Sequence, residues 1–286
     1  VTEDLVEPGA GERARADCVR AAAVQGTANW RLVLEYDGTG FAGWQRQPGA
    51  VRTVQGVLEG ALARIRGGAV SATGAGRTDA GVHAEGQVAS VRAAILLDPE
   101  TLQRALNALL PRDVVVRSAA LVPDAFHARR AARSKLYEYR LWAHPVRSPL
   151  RERFTHWVYE PLDLSAMREA SSLLIGTHDF TSFCAAGGSS RTTIRTISRA
   201  EWCGAVPGPV SFAVEGPGFL RHMVRNLVGS LLEIGRGRRS PGWIGDLLAV
   251  RDRTRAGPTA PARGLTLVRI EDGFSLGIQR LGGPPG

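Results

Sequence analysis

The chain is short of cysteine, of lysine and of long apolar runs, and each shortage removes a class of explanation. Its three cysteines, Cys18, Cys184 and Cys203, are far apart, odd in number and form no C-x-x-C pair. That argues against a disulfide framework or a zinc site and fits a reducing cytoplasm. No stretch approaches eighteen consecutive apolar residues, so no transmembrane helix is expected. The six histidines show no metal-ligand spacing. His178 and Asp179 are neighbours, and neighbours on a helix do not share a face. No bound metal is expected.

What is abundant is arginine. The net charge is +9 over 286 residues, and Lys135 is the single lysine. The first 29 residues hold three basic and five acidic side chains, so the remainder carries +11. Arginine suits bidentate phosphate contact and base stacking better than lysine does. A GC-rich genome also raises arginine, so the excess favours a polyanionic partner without establishing one. Apolar residues make up 44% and charged residues 22%, ordinary for a globular protein with a real core.

Residues 1–29 lack a sustained apolar period and read as a disordered extension; residues 274–286, ending in LGGPPG, read as a flexible tail. Two passes of one element order lie between them. WRLVLEYDG (30–38) reads as a strand. TVQGVLEGALARI (53–65) reads as a helix with Thr53 as N-cap and Val54, Leu58, Ala61 and Leu62 on one face. VSATGAG and VHAEGQVASVRA read as strands. Asp98-Pro99 opens a second helix in the N-cap and N1 positions, and VVVRSAALV (114–122) closes the half as a strand. The second pass runs from the strand SKLYEYRLWA (134–143), through a helix near 163–176, the strands RTISRAEWCG and PVSFAVEG, a long helix from Phe219 to Gly235 and a helix starting at Ser240-Pro241, to the strand GLTLVRIED (264–272). The expected fold class is α+β: two ferredoxin-like β-α-β-β-α-β halves, 30–132 and 133–273, forming a mostly antiparallel sheet with helices on one face and a cleft on the other.

The segment GAGRTDAGVHA (74–84) packs three glycines around charged residues. A phosphate loop fails on spacing, because Val82 and His83 stand where Lys and Ser/Thr are required after G-x-x-x-x-G. The glycines read instead as a tight turn that displays Arg77 and Asp79. Asp79 is then either an ordinary Asx-turn residue or a functional carboxylate. Arg225 lies at the edge of the apolar stripe of the 219–235 helix, where an arginine either snorkels or pairs with a buried acid. Tyr137 and Tyr139 alternate along one strand and are either core aromatics or a base-stacking platform. The run HARRAARSK (127–135) offers Arg129, Arg130, Arg133 and Lys135 as RNA contacts if it lies beside exposed aromatics, and is a solvated face otherwise. His83 and His178 read as packing or hydrogen-bonding residues.

Five segments in fixed order carry a family resemblance: EYDGTGFAGWQRQ, GAGRTDAGVHAEGQVA, FHARRAARSKLYEYR, HDFTSF and GFLRHMVRNLVGSLLEIGRG. Together, from Trp30 to Asp272, they resemble the bacterial tRNA pseudouridine synthase A family. The resemblance implies cofactor-free isomerisation of uridine to pseudouridine in the tRNA anticodon stem-loop (tRNA positions 38–40), by a homodimer with one tRNA touching both subunits. It implies that Asp79 is the nucleophile, that Arg225 pairs with it, that Tyr137 stacks on the target base and that Arg77 holds the flipped nucleotide's site open. Two features depart from the family pattern: the N-terminal extension, and Arg130 where an aromatic is expected. A non-catalytic RNA-binding protein would share the cleft without needing an aspartate in a glycine turn.

Overall fold

The computed structural model describes residues 26–188 and 190–274. In chain order the elements are β1 (Ala28–Tyr36), α1 (Val54–Arg66), β2 (Ala72–Gly74), β3 (His83–Ala93), α2 (Pro99–Leu109), β4 (Val114–Val122), α3 (Ala128–Ala131), β5 (Ser134–Ala143), β6 (His156–Val158), α4 (Leu164–Ser172), β7 (Gly176–Asp179), β8 (Ile194–Ile197), β9 (Arg199–Gly204), β10 (Gly208–Gly216), α5 (Met223–Gly235), α6 (Trp243–Val250) and β11 (Leu265–Glu271).

Local chemistry sets several boundaries. The Thr53 side chain accepts from the Gly56 amide at the start of α1, which ends at Gly67 in the left-handed region. Asp98 caps α2 by accepting from the Thr101 amide, with Pro99 in the first turn. Asp163 caps α4 through the Ala166 amide. Each of these caps satisfies an amide that the first helical turn would leave without a partner.

The strands form a nine-stranded sheet in the order β4-β1-β3-β11-β5-β10-β9, with β2 pairing on β3 and β6 on β5. The neighbours are antiparallel except at β3–β11 and β5–β6. The β3–β11 pair joins the early strands to the late ones, setting Thr266 opposite His83 and Leu267 opposite Ala84. That joint sits at the end of β3 that follows the glycine turn. The sheet's apolar side chains continue into one core with the helices: Leu58 and Leu62 of α1, Leu102 and Leu106 of α2, Met167 of α4, and Leu227, Val228 and Leu231 of α5 are all buried.

The structure departs from the sequence expectations in several places. β1 begins at Ala28, so the last residues assigned to the extension are strand; residues 1–25 and 275–286 lie outside the described residues. Phe274, assigned to the tail, packs its ring against that of Phe126 and under the Arg31 guanidinium. The stretch read as one strand at RTISRAEWCG breaks at Ser198, whose amide donates to the Glu215 carbonyl, into β8 and β9. The helix expected to 176 stops at Ser172, and Gly176 starts β7 at φ 111°, pairing with β8. The helix expected from Phe219 begins only at Met223, because His222 is left-handed, with φ 58° and ψ 6°.

Candidate active site

The segment 74–84 leaves β2, turns, and enters β3 at His83. The turn is tied down by backbone and side chain alike. The Ala75 amide donates to the Val88 carbonyl at 2.8 Å, and the Gln87 side chain donates to the Gly76 carbonyl at 2.9 Å. The Thr78 hydroxyl lies 2.8 Å from the Tyr36 phenol, whose pKa burial pushes up to about 12. A second loop braces the turn from outside: the Trp44 amide donates to the Thr78 carbonyl at 3.0 Å, and the Gly81 amide to the Phe41 carbonyl at 3.2 Å. Gly81 needs its freedom, at φ 78°. This bracing leaves Arg77 exposed and Asp79 half-buried. The glycines therefore act as the sequence suggests, shaping a turn rather than cradling phosphate.

Asp79 faces the start of α5. Arg225 Nη1 donates to Asp79 Oδ2 at 3.4 Å, and His222 Nε2 lies 3.6 Å from the same oxygen. Arg225 is 15% exposed at its side chain, so it pairs instead of snorkelling. Its position is fixed from the opposite side: Arg225 Nε donates to the Ala260 carbonyl at 2.8 Å, while the Ala260 amide donates to the Arg225 carbonyl at 3.1 Å. The segment carrying Ala260 is in turn locked to α5 by buried Asn226, whose side-chain oxygen accepts from Thr259 Oγ1 at 2.6 Å and from Arg253 Nη2 at 3.0 Å. Arg225 and His222 thus both approach the same carboxylate oxygen, Oδ2.

These groups line a cavity of about 670 Å³ together with Arg77, Trp44, Tyr137, Phe219 and Lys135. Tyr137 is 7% exposed, set edge-on to Phe219 with centroids 5.2 Å apart, and burial pushes its phenol well above the ordinary value. Tyr139 does not line the cavity. It is fully buried and donates its hydroxyl to the Pro261 carbonyl at 2.8 Å, so the two alternating tyrosines have different environments. Lys135 runs past Gly76, and burial, then the like charges of Arg129 and Arg195, hold its ammonium below the usual lysine range.

The basic run divides in the same way. Arg129 and Lys135 line the cavity; exposed Arg130 and Arg133 do not. The Arg133 guanidinium lies instead against Gly273, and its amide donates to the Glu271 carbonyl. His83 is a structural residue, as expected: it is buried, its Nδ1 accepts from the Gly38 amide at 3.1 Å, and its ring packs on Phe154 at 4.9 Å. His178 lies 3.0 Å from the Ile175 carbonyl, away from the cavity. His222 and Trp44 are cavity residues that the sequence reading quoted without singling out. The signal for His222 was its place beside Met223 and Arg225 in HMVRN; its left-handed backbone leaves no trace in periodicity. Among the described residues, no group of three or more His, Cys, Asp or Glu could hold a metal ion, and no helix is long and apolar enough to cross a membrane.

A mainly antiparallel α+β frame that presents one guanidinium-held carboxylate in a cleft lined by aromatics and arginines suits an enzyme acting on a nucleic-acid base. The comparisons make this specific. A family model described as tRNA pseudouridine synthase matches residues 32–129 and 170–271. Relatives named tRNA pseudouridine synthase A share 48% identity over 241 residues in Myxococcus xanthus (84% of this chain, 90% of the relative) and 48% over 240 residues in Syntrophotalea carbinolica (84% and 94%). A third, from Geobacillus kaustophilus, shares 48% over 246 residues (85% and 94%). The chain belongs to the tRNA pseudouridine synthase family.

Proposed function

We propose that this protein isomerises uridine to pseudouridine in the tRNA anticodon stem-loop, at tRNA positions 38–40, with Asp79 as the reacting carboxylate. The reaction breaks the N1–C1′ bond of the nucleotide, forms a C5–C1′ bond, releases the C5 proton and leaves a proton on N1. The atoms balance without oxidant, reductant or added group, so the residues of the cleft suffice in principle. The carrying observation is the Asp79–Arg225 pair, 3.4 Å apart in the cavity, within a chain of this family.

The physical roles follow from the positions. A base stacked in the stem must be flipped out to reach Asp79, at a cost of a few kcal/mol. A buried aromatic such as Tyr137 returns about 1–3 kcal/mol by stacking on the flipped base. Arg225, donating to Asp79 Oδ2, fixes the orientation of the carboxylate. Exposed Arg77, which lines the cavity, helps hold the flipped nucleotide's site open. Arg129 and Lys135 meet the RNA backbone, while Arg130 and Arg133, on the outer surface, serve the longer RNA path. Whether the carboxylate attacks C6, attacks C1′ or removes a ribose proton, one held carboxylate serves all three routes.

At the level of architecture, we read the sheet as two ferredoxin-like halves, 30–132 and 133–273. The support is a repeated order: β4-β1-β3-β2 in the first and β11-β5-β10-β9 in the second. We further propose a cytoplasmic homodimer that needs no metal and no cofactor. The experiment that tests the function is pseudouridine mapping of total tRNA with and without the purified protein. New pseudouridine confined to the anticodon stem-loop supports the reading; tRNA binding with no pseudouridine formed overturns it.

A further inference from the structure

All routes to pseudouridine share a last step that Asp79 alone does not explain: once C5 is bonded to C1′, it still carries its hydrogen, which must be removed. The cavity holds a second group able to accept a proton. His222 sits immediately before α5 with its Nε2 3.6 Å from Asp79 Oδ2 and its side chain 27% exposed. Its backbone is left-handed at φ 58°, one of two non-glycine residues with positive φ among the described residues, and as the N-cap of α5 it makes no side-chain capping bond. A bulky non-glycine residue in that region carries strain of order 1 kcal/mol, which is retained where the side chain's direction matters. The strained backbone holds the ring in the cavity wall instead of over the helix end, where a capping side chain would sit.

We propose that His222 is the base that removes the C5 proton of the C5-glycosylated uracil. In that step the C5–H bond breaks and the proton passes to the imidazole. The released pair re-forms the C5–C6 double bond: where C6 is free, the C6–N1 double-bond pair returns to N1, and where the carboxylate is bonded to C6, the C6–O bond breaks and its pair leaves on Asp79; in either case N1 takes a proton from water. His222 then gives its proton to solvent, so the enzyme ends as it began. Asp79 and His222 thus divide the work: the carboxylate handles the sugar transfer and the imidazole the proton. This inference rests on the function proposed above.

The charges around the ring favour this role. Asp79 faces it from the glycine turn, Arg221 from the residue before it, Arg225 from α5 and Arg253 from the turn at 253–255. Burial first, and then the three guanidiniums, outweigh the carboxylate and hold the imidazole below its ordinary pKa. At neutral pH it is therefore unprotonated and competent as a base. Turnover is therefore full where His222 is neutral and falls as pH drops through its depressed pKa.

The test uses the full chain and tRNA carrying uridine with either hydrogen or deuterium at C5. His222→Asn is the main variant, because asparagine tolerates the left-handed backbone and cannot take the proton. The expected result is a loss of kcat of about 100-fold or more, the usual scale for a positioned base, together with a primary isotope effect on C5 deuteration larger than in the wild type. His222→Gly, which also tolerates the backbone, should recover turnover on adding imidazole, with the rescue following imidazole's neutral fraction. Arg221→Gln should move the acid limb of kcat to higher pH by removing one like charge. If His222→Asn turns over within threefold of wild type, or if it is slow with no new isotope effect and no imidazole rescue, His222 is not the base. Wild-type protein that forms no pseudouridine at all would instead refute the function itself, so the two failures are distinguishable.

Discussion

Replacing Arg225 by lysine keeps the positive charge and removes the fork. In the structure the fork does two jobs at once: Nε donates to the Ala260 carbonyl at 2.8 Å and Nη1 to Asp79 Oδ2 at 3.4 Å. A lysine ammonium is a point donor and can serve one of these directions well, not both. The lost contact is a hydrogen bond to a charged group, about 1.5–3 kcal/mol. If it falls on the Asp79 side it weakens the transition state by that amount, a rate loss of roughly 10- to 150-fold. If it falls on the Ala260 side it leaves a carbonyl without its donor, about 1 kcal/mol of stability, or a drop in Tm of about 2–4 °C in a domain of this class. The assay pairs single-turnover pseudouridine formation with thermal unfolding of the same preparation. Arg225→Lys is expected to lose at least tenfold in rate while Tm moves by no more than those few degrees. Activity within threefold of wild type would refute the pairing argument. A collapse of Tm in step with activity would show that Arg225 acts through packing.

Three further outcomes follow from the frame. Gly43 is at φ 98°, and a Cβ there would stand 2.6 Å from the Thr78 carbonyl oxygen and 3.1 Å from the Asp79 carbonyl carbon, so Gly43→Ala should shift the turn and cut turnover more than it lowers Tm; unchanged turnover would show that the turn adapts. Arg31 Nε donates to Asp272 Oδ2 at 2.6 Å with both side chains buried, so Arg31→Met should strand a buried carboxylate and lower stability by about 3–5 kcal/mol in denaturant unfolding; a loss below 1 kcal/mol would contradict this. Burial, with the charges of Arg263 and Arg236 adding to it, lowers the His156 pKa from 6.5 to about 4. The unfolded chain then binds the proton first as pH falls, so this contribution is complete above pH 6.5, is lost progressively down to pH 4, and amounts to roughly 3 kcal/mol. Urea unfolding at pH 7 and pH 4.5 should show a steeper decline in wild type than in His156→Asn; identical slopes would refute the assignment.

What the sequence made legible was local. Thr53, Asp98 and Asp163 announce their helices because capping depends on a few adjacent atoms, and β4 and β5 carry their pattern within one run. What escaped was set by distant contacts. The apolar residues before Met223, such as Leu220, fit a helical stripe, yet His222 turns the chain left-handed and Leu220 is buried without being helical. Periodicity records which side chains are apolar and not which backbone is bent. Ser198 splits a strand because its amide is bonded to Glu215 on another strand. The Asp79–Arg225 pair spans 146 residues, so spacing alone left both residues with two readings each, and only the resemblance joined them. Arg129 and Arg130 are adjacent in sequence, and the single turn of α3 sends one to the cavity and the other to solvent.

In the proposed reaction the carboxylate displayed by the glycine turn does the chemistry. Asp79→Asn is nearly isosteric and removes only the charge. Purified Asp79→Asn, incubated with tRNA transcript, should bind it with an affinity close to that of the wild type and form no pseudouridine by site-resolved mapping. Pseudouridine formed by that variant at the wild-type rate would show that Asp79 is not the reacting carboxylate.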